Sequence, residues 1–517
     1  MRLAPFGLLL LASQLLAACA EEPQPVPPPA PAPPPATAAL APPAPPPPYG
    51  SAEQLGGWID AYVSAFGARW GEAYAAPCYL ALGEGGKVLF ERAYGKADRA
   101  RGIVADADTR FRIGSVTKQF TATAVLVLEK KGLLEVQAPL RKYLPEYPAT
   151  GDRITLHHLL THTSGIPNYT DDAGLMKRRD RAMTHAEMLA TFDDKPLQFE
   201  PGSQHRYSNS NYFVLGMIIE RVSGRSYEDF LQENVLRPAG MTRTSTLDAP
   251  DAPDTAVGYD VGPDESIMPA KPIDMSIPFA AGAIRSTAKD LLAWDRALAG
   301  EAILDEASKA RMFTPFKDGY AYGWMVEQME GARVVGHPGG IDGFSSYIGR
   351  APEKHLAVVA LCNSDGFDAS SIGRPALRMA LSGKRVDPVV ERAVFPVEAA
   401  RIKSIVGDYT ITDESKKDLE AKVPAPVVQS VLTLTFTAES DRLRFKPAGQ
   451  DALPVFGGEG GALFTKVAEV DFAVEPGDMP GGPAKGVTLR QHGLTIRYVR
   501  AKAAAKKGPA PKAPTHP

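Results

Sequence analysis

The chain opens on an apolar run, crosses a long stretch with no periodicity, and carries helical and strand patterns from residue 51 onward. "LGGWIDAYVSAFGARW" repeats its apolar positions every three to four residues. Ser51-Ala52-Glu53-Gln54 ahead of it reads as a capping box, so a helix is predicted there. "CYLAL" and "KVLFERAYG" flank the turn "GEGG" and predict a hairpin. The run from Ser115 to Lys131 is apolar nearly all round, which predicts a buried helix. Helical patterns recur at "TLHHLLTH", "SNYFVLGMIIERVSG", "SYEDFLQENVL" and "TAKDLLAWDRALAG". Strands return at "ARVVGH", "SSYIGR" and "HLAVVALC", and a helix, "SSIGRPALRMALSG", closes this part near residue 385. After about residue 390 the texture changes. "VLTLTFT" alternates strictly, and "RLRFKP", "GALFTK", "VDFAVE", "GVTLRQ" and "LTIRYVR" are short strands split by Gly, Asp and Pro. They predict a small all-β module, sandwich or barrel.

Strands at both ends of the first body, with helices between, predict an α+β fold. Its sheet is completed by distant segments and flanked by helices, with a helical region inserted. A chain of 517 residues suits more than one folded unit. The expected division is a leader at 1–18, a Pro-rich linker at 19–50, a main body at 51–387, a β module at 388–500 and a basic tail at 501–517.

Composition narrows the function classes. The chain is 44% hydrophobic and 23% charged, as globular proteins are, and its net charge of −3 gives no reason to expect a nucleic acid partner. "MRLAPFGLLLLASQLLAAC" has one Arg, an apolar stretch and small residues before Cys19, the layout of a secretory signal. Leu16-Ala17-Ala18-Cys19 resembles the lipobox of bacterial lipoproteins, which implies cleavage before Cys19 and a lipid anchor on it. The expected place is the cell envelope, facing the periplasm on a membrane tether, with the outer membrane expected in a Gram-negative host. Residues 21–50 hold 15 of the 47 prolines and predict a semi-rigid polyproline II spacer. Cys78 and Cys362 lie in strand-like runs. Two buried thiols are the expectation, although an exported compartment permits their pairing.

The chemistry starts at "RIGSVTKQF", where Ser115 and Lys118 stand three apart at the mouth of the buried helix. That spacing puts both on one face. Burial disfavours the charged amine, and lowering a lysine from about 10.4 to about 7.5 removes roughly 4 kcal/mol of preference for the proton. Such an amine can deprotonate the neighbouring serine. The spacing alone is weak, since Ser-x-x-Lys recurs as Ser286-Thr287-Ala288-Lys289. There Thr287 and Asp290 read as a capping box on an amphipathic helix. Ser115 has further company. Tyr207-Ser208-Asn209 begins a helical run, and "GHPGGIDGFSSY" sets His337 at a strand end ahead of Gly339 and Gly340.

Together these motifs resemble the serine β-lactamase and penicillin-binding family, in its esterase-like and D-amino-acid-peptidase-like branch. That branch shows Ser-x-x-Lys, Tyr-x-Asn and His-x-Gly in this order, here Ser115/Lys118, Tyr207/Asn209 and His337/Gly339. The flanks "FRIGSVTKQFTA", "LLTHTSGIPNY", "PGSQHRYSNSNY" and "AGAIRSTAKDLLAW" look similar as well, over about residues 55–385. The resemblance implies an antiparallel sheet flanked by helices, no cofactor and no metal, and an acyl-enzyme on Ser115. It makes Lys118 and Tyr207 the proton carriers and the N–H groups of Ser115 and Gly340 the oxyanion hole. Asn209 would orient substrate and Lys118, and His337 would donate a hydrogen bond or partial positive charge beside Tyr207. The implied substrates are small molecules or cell-wall peptides, with an ester or D-amino-acid amide preferred. Pro338 stands where many β-lactamases and D,D-peptidases carry the hydroxyl of Lys-Thr-Gly or Lys-Ser-Gly, which argues against efficient β-lactam hydrolysis. The β module resembles the lipocalin-like domains appended to some members.

Rival readings are a β-lactamase or penicillin-binding D,D-carboxypeptidase, a cell-wall-binding or penicillin-sensing protein that acylates without turnover, and a metallohydrolase. For the last, His158 and His162 have i, i+4 spacing, but the Glu of the zincin pattern is missing and "TSG" ends the helix at once. The two Ser-x-x-Lys motifs are separated by mutation. Ser115→Ala abolishes ester hydrolysis and Ser286→Ala leaves it largely intact, measured on a nitrophenyl ester; the reverse result overturns the assignment.

Overall fold

The computed structural model describes residues 47–70, 77–246, 254–261, 266–387, 394–420, 431–439, 442–447, 453–465, 470–491 and 493–501, with single positions 252, 423 and 428. The leader, Cys19, nearly all of the Pro-rich linker and nearly all of the basic tail lie outside them. Among the described residues no helix is long and apolar enough to cross a membrane. The chain divides into two compact units, within 40–389 and within 390–517.

The first unit is built on a six-stranded antiparallel sheet. Its strands are β1 (Cys78–Glu84), β2 (Lys87–Ala93), β3 (Met325–Met329), β4 (Ala332–Ile341), β5 (Phe344–Ala351) and β6 (Leu356–Cys362), in the order β2-β1-β6-β5-β4-β3. β1 therefore pairs with β6, its neighbour in space but not in sequence. Successive side chains of a strand point to opposite faces. Leu80, Leu82, Val358 and Ala360 meet one core, with α1 (Ala52–Trp70) and the helix Ser370–Ser382. Tyr79, Ala81, Val359 and Leu361 meet another, with α2 (Thr117–Lys130) and the helix Ala288–Ala299. With both faces covered, the central strands need apolar residues on both sides. This is why "HLAVVALC" reads as a continuous apolar run and not an alternation.

The cysteines depart from expectation. Cys78 and Cys362 are register partners at one end of the β1–β6 pair, and a disulfide joins them across 284 residues of sequence. The strand pairing that brings them opposite each other leaves no trace in the spacing of the two cysteines.

The inserted helical region lies between β2 and β3 in the chain, and α2 is its buried axis, with every residue from Thr117 to Leu128 buried. Most of its buried polar side chains find partners, although Gln119 Nε2 has none among the described residues. Thr121 bonds the Ala280 carbonyl at 2.6 Å, Thr123 bonds the Gln119 carbonyl at 2.8 Å, and Gln119 Oε1 accepts from Trp294 Nε1 at 3.2 Å. α3 (Asn209–Ser223) packs against α2 within the same core.

The second unit contains a nine-stranded antiparallel sheet. Its outermost strands, Leu453–Pro454 and Phe456–Gly457, are separated in the chain only by Val455, so the sheet curls round towards its own beginning as a near-barrel. The alternation in "VLTLTFT" buries Leu434 and Phe436 and exposes Thr433 and Thr437. Phe445, Phe472 and Tyr498 complete that core. The strand Gly407–Ile411 and the helices Ala399–Ile405 and Asp413–Glu420 add to the elements that the pattern predicts.

Candidate active site

Ser115 sits in a single 3₁₀ turn, Gly114–Val116, that runs straight into α2. Lys118 follows in the first turn of that helix and is fully buried. Its Nζ lies 2.9 Å from Ser115 Oγ, 2.8 Å from Asn209 Oδ1 and 2.8 Å from the Ala281 carbonyl oxygen. The amide and carbonyl oxygens can only accept, so they take two N–H bonds. A neutral amine has just two, and its lone pair then faces the Ser115 hydroxyl. Burial holds the Lys118 amine well below its ordinary 10.5. Among the described residues it has no carboxylate partner to restore the charge.

Tyr207 stands just ahead of α3, with the Lys118 Nζ 4.8 Å from its ring centroid. Burial pushes its phenol above the ordinary 10.0, against the smaller downward pull of a hydrogen bond with Ser115. It is therefore protonated at neutral pH, beside Ser115. Asn209 is the first residue of α3, and its N–H bonds Asn168 Oδ1 at 3.0 Å. Ser208 is the N-cap residue by position, but its side chain makes no capping bond.

The rival motifs are placed elsewhere. Ser286 Oγ is buried against Thr244 Oγ1 at 2.8 Å, while Lys289 is exposed beside Asp108. Thr287 caps its helix by accepting from Asp290 N–H, but the Asp290 carboxylate turns to Thr244 and Arg243, so only half of the expected capping box forms. The helix carrying His158 ends at Leu160, and His162 has a left-handed φ of 56°, so the two histidines share no helical face.

Residues 59–381 match the Beta-lactamase family model. The chain belongs to that family. The chain is 27% identical over 449 residues to penicillin-binding protein 4* of Bacillus subtilis, covering 81% of this chain and 94% of that one. D-amino acid amidase from Ochrobactrum anthropi SV3 superposes with a TM-score of 0.55 at 26% identity, over 64% of this chain and 98% of that one. The octameric penicillin-binding protein homologue from Pyrococcus abyssi shares the fold, with a TM-score of 0.58 at 24% identity over 85% and 99% of the two chains. Members of the Beta-lactamase family are serine hydrolases, and this chain is one of them.

The third motif of this β-lactamase-family chain differs from expectation in two ways. His337 does not end a strand, because β4 continues through Pro338, Gly339 and Gly340 to Ile341. The two glycines also do different jobs. A Cβ on Gly339 would lie 2.1 Å from the Ile113 carbonyl oxygen and 2.3 Å from Ser346 Oγ, so its bare backbone is what lets β4 close on the Ser115 turn. A Cβ on Gly114, whose φ is +48°, would lie 2.9 Å from Gly340 N. Gly340 itself has open space where a Cβ would go. This approach brings the Gly340 backbone against Gly114, the residue before Ser115.

The second difference is the role of His337. It is buried, and its ring centroid is 6.1 Å from that of Tyr207. Its Nδ1 donates to the Pro338 carbonyl at 2.6 Å, and its Nε2 faces Tyr320 Oη at 3.0 Å. Burial, helped by nearby Lys118, pushes its pKa down to about 3. It carries no positive charge at neutral pH and gives no hydrogen bond to Tyr207.

Motif reading passed over three residues that build this site. Ala281 supplies the carbonyl for Lys118. Tyr320 contacts His337. Gly323, at φ +77°, lets its loop lie on the Lys118 backbone, where a Cβ would be 2.6 Å from the carbonyl oxygen. Ala281 lies in "AGAIRSTAKDLLAW", while "GYAYGW" holds the other two, but nothing in their spacing marks them.

The glycines give a direct test. Gly339→Ala lowers ester turnover by about 100-fold or more, the scale of losing an oxyanion donor, because β4 must leave the Ser115 turn. Gly340→Ala folds with a melting temperature close to wild type. Equal stability and turnover in the two variants contradicts the close approach.

Proposed function

We propose that the protein hydrolyses an ester or a D-amino-acid amide through an acyl-enzyme on Ser115. The observation that carries this reading is the buried Lys118, with no carboxylate beside it among the described residues and its Nζ 2.9 Å from Ser115 Oγ. Ser115 Oγ attacks the carbonyl carbon as its proton passes to Lys118. The oxyanion is held by the N–H groups of Ser115 and Gly340. Tyr207 gives its proton to the departing oxygen or nitrogen and recovers one from the Lys118 ammonium. Water then attacks the acyl carbonyl, giving its proton back through the same pair, and Ser115 is released. Asn209 keeps Lys118 aligned throughout.

The substrate preference follows from charge. With His337 uncharged, the third motif offers no cation for a substrate carboxylate. Arg179 reaches the end of β4, but it is ion-paired with Asp342 and mostly buried. A neutral ester or amide fits such a site better than a carboxylate-bearing lactam. The similarity to penicillin-binding protein 4* keeps a penicillin-binding role as the second reading. The leader pattern and Cys19 support export and lipid tethering in the cell envelope, with the Pro-rich segment as spacer.

Intact-protein and peptide mass spectrometry after exposure to a fluorophosphonate and, separately, to a penicillin tests the reading. One fluorophosphonate adduct is expected on Ser115, with steady nitrophenyl ester turnover in untreated protein and only slow acylation by penicillin. An adduct on another serine contradicts the assignment. Fast, lasting penicillin acylation without ester turnover supports the second reading instead.

A further inference from the structure

A chain of buried hydrogen bonds joins the second and third motifs, and the chemistry of each atom fixes its direction. The Pro338 carbonyl can only accept, so His337 Nδ1 carries the hydrogen of their 2.6 Å bond. The ring is neutral, so its Nε2 holds a lone pair and needs a donor. The hydroxyl facing it at 3.0 Å belongs to Tyr320. Tyr212, which also hydrogen-bonds Tyr320, gives its own hydrogen to the Leu160 carbonyl at 2.8 Å and can only accept from Tyr320, whereas among the described residues His337 Nε2 has no donor but Tyr320. Tyr320 has one hydrogen, and it goes to His337. His162 Nε2, 3.2 Å from the same Tyr320 oxygen, must then be the donor in that bond. Its Nδ1 is left as an acceptor, and two donors point at it: Ser208 N–H at 3.3 Å and the Asn211 amide nitrogen at 3.1 Å. Asn211 presents its amide nitrogen there because its oxygen accepts from Ser164 Oγ at 2.6 Å. Every bond in the chain agrees with one orientation, and the two histidines hold opposite tautomers.

The ends of the chain lie where the proposed reaction needs rigidity. Ser208 stands between Tyr207 and Asn209, so its anchored N–H fixes the backbone that presents both. Pro338 is two residues ahead of Gly340, so the bond to its carbonyl fixes the Pro338–Gly339 peptide, the one just before the peptide that carries the Gly340 N–H. Ser208 and Pro338 are far apart in sequence, and Tyr320 Oη is where the two halves of the chain meet.

We propose that Tyr320 is a positioning residue that locks His162 and His337 into opposite tautomers and thereby aligns the Tyr207-Asn209 segment with the Gly339-Gly340 strand. Its catalytic part rests on the acyl-enzyme reading above; its structural part does not. The hydroxyl acts through the two histidines and touches no reacting atom. Tyr320→Phe keeps the ring and removes the joint. A buried lone pair on His337 and an N–H on His162 then lose their partner, which such groups tolerate poorly. His337 is free to change tautomer and release Pro338.

The test is nitrogen NMR of protein labelled at histidine, with His162→Gln and His337→Gln spectra for assignment, beside steady-state kinetics on a nitrophenyl ester. In wild type, His337 is expected as the Nδ1–H form and His162 as the Nε2–H form. In Tyr320→Phe, the His337 signals shift away from that form and kcat falls about 10- to 100-fold while KM stays within about twofold. The same tautomer for both histidines in wild type overturns the proposal, as does a Tyr320→Phe enzyme with kcat within twofold of wild type. The wild-type spectrum needs no variant to fold. Opposite tautomers in a protein whose Ser115→Ala form keeps full ester activity uphold the chain of bonds and overturn the acyl-enzyme reading alone.

Discussion

An amine with no counter-charge, held away from water, is the constraint on which the rest of the site depends. Lys118 could be buried harmlessly only beside a carboxylate or as a neutral base. The fold provides no carboxylate among the described residues and instead gives two oxygens that accept and a hydroxyl that both accepts and donates. This set suits the uncharged form. It stabilises the amine's two hydrogens and leaves a lone pair for Ser115. The helix around it is buried from Thr117 to Leu128, and that burial lowers its proton affinity. Packing and chemistry are therefore one requirement here: the apolar helix that serves the core also lowers the proton affinity of Lys118.

The surroundings extend the same principle. Tyr207 is held protonated by burial, while the Lys118 amine lies 2.9 Å from Ser115 Oγ. His337, His162 and Tyr320 are buried polar groups that pair with one another and remain uncharged. The site thus uses neutral groups throughout its interior. Backbone contacts complete it, with Gly339 and Gly114 giving up side chains so that β4 and the Ser115 turn can touch. A side chain at either position would occupy the space in which the two segments meet.

How much of this the sequence discloses depends on whether a contact is local. The buried helix, the Ser115–Lys118 contact and the half-cap at Thr287 are made between residues three apart, and the pattern announces them. The sheet strands are legible as apolar runs, and the order of Tyr207, Asn209, His337 and Gly339 points to a common site through family resemblance. Contacts between distant segments are not legible. The Ala281 carbonyl reaches Lys118 across 163 positions, and Cys78 meets Cys362 only because β1 pairs with β6. His337 in "GHPGG" reads as a strand end, because proline and glycines usually interrupt strands. Here the glycines mark a close backbone approach within a continuing strand. Tyr320 carries no motif at all, and its importance arises from two histidines brought to it by folding.

The ionisation of Lys118 is the point at which the account is most exposed. Protein labelled with ¹⁵N at the lysine side chain, with Lys118→Met to assign the signal, can be titrated by NMR from pH 5 to 11. An amine already uncharged at neutral pH is expected, with its midpoint well below 10.5. A Lys118 signal that stays ammonium-like beyond pH 9, in both the free and the acylated enzyme, would contradict it.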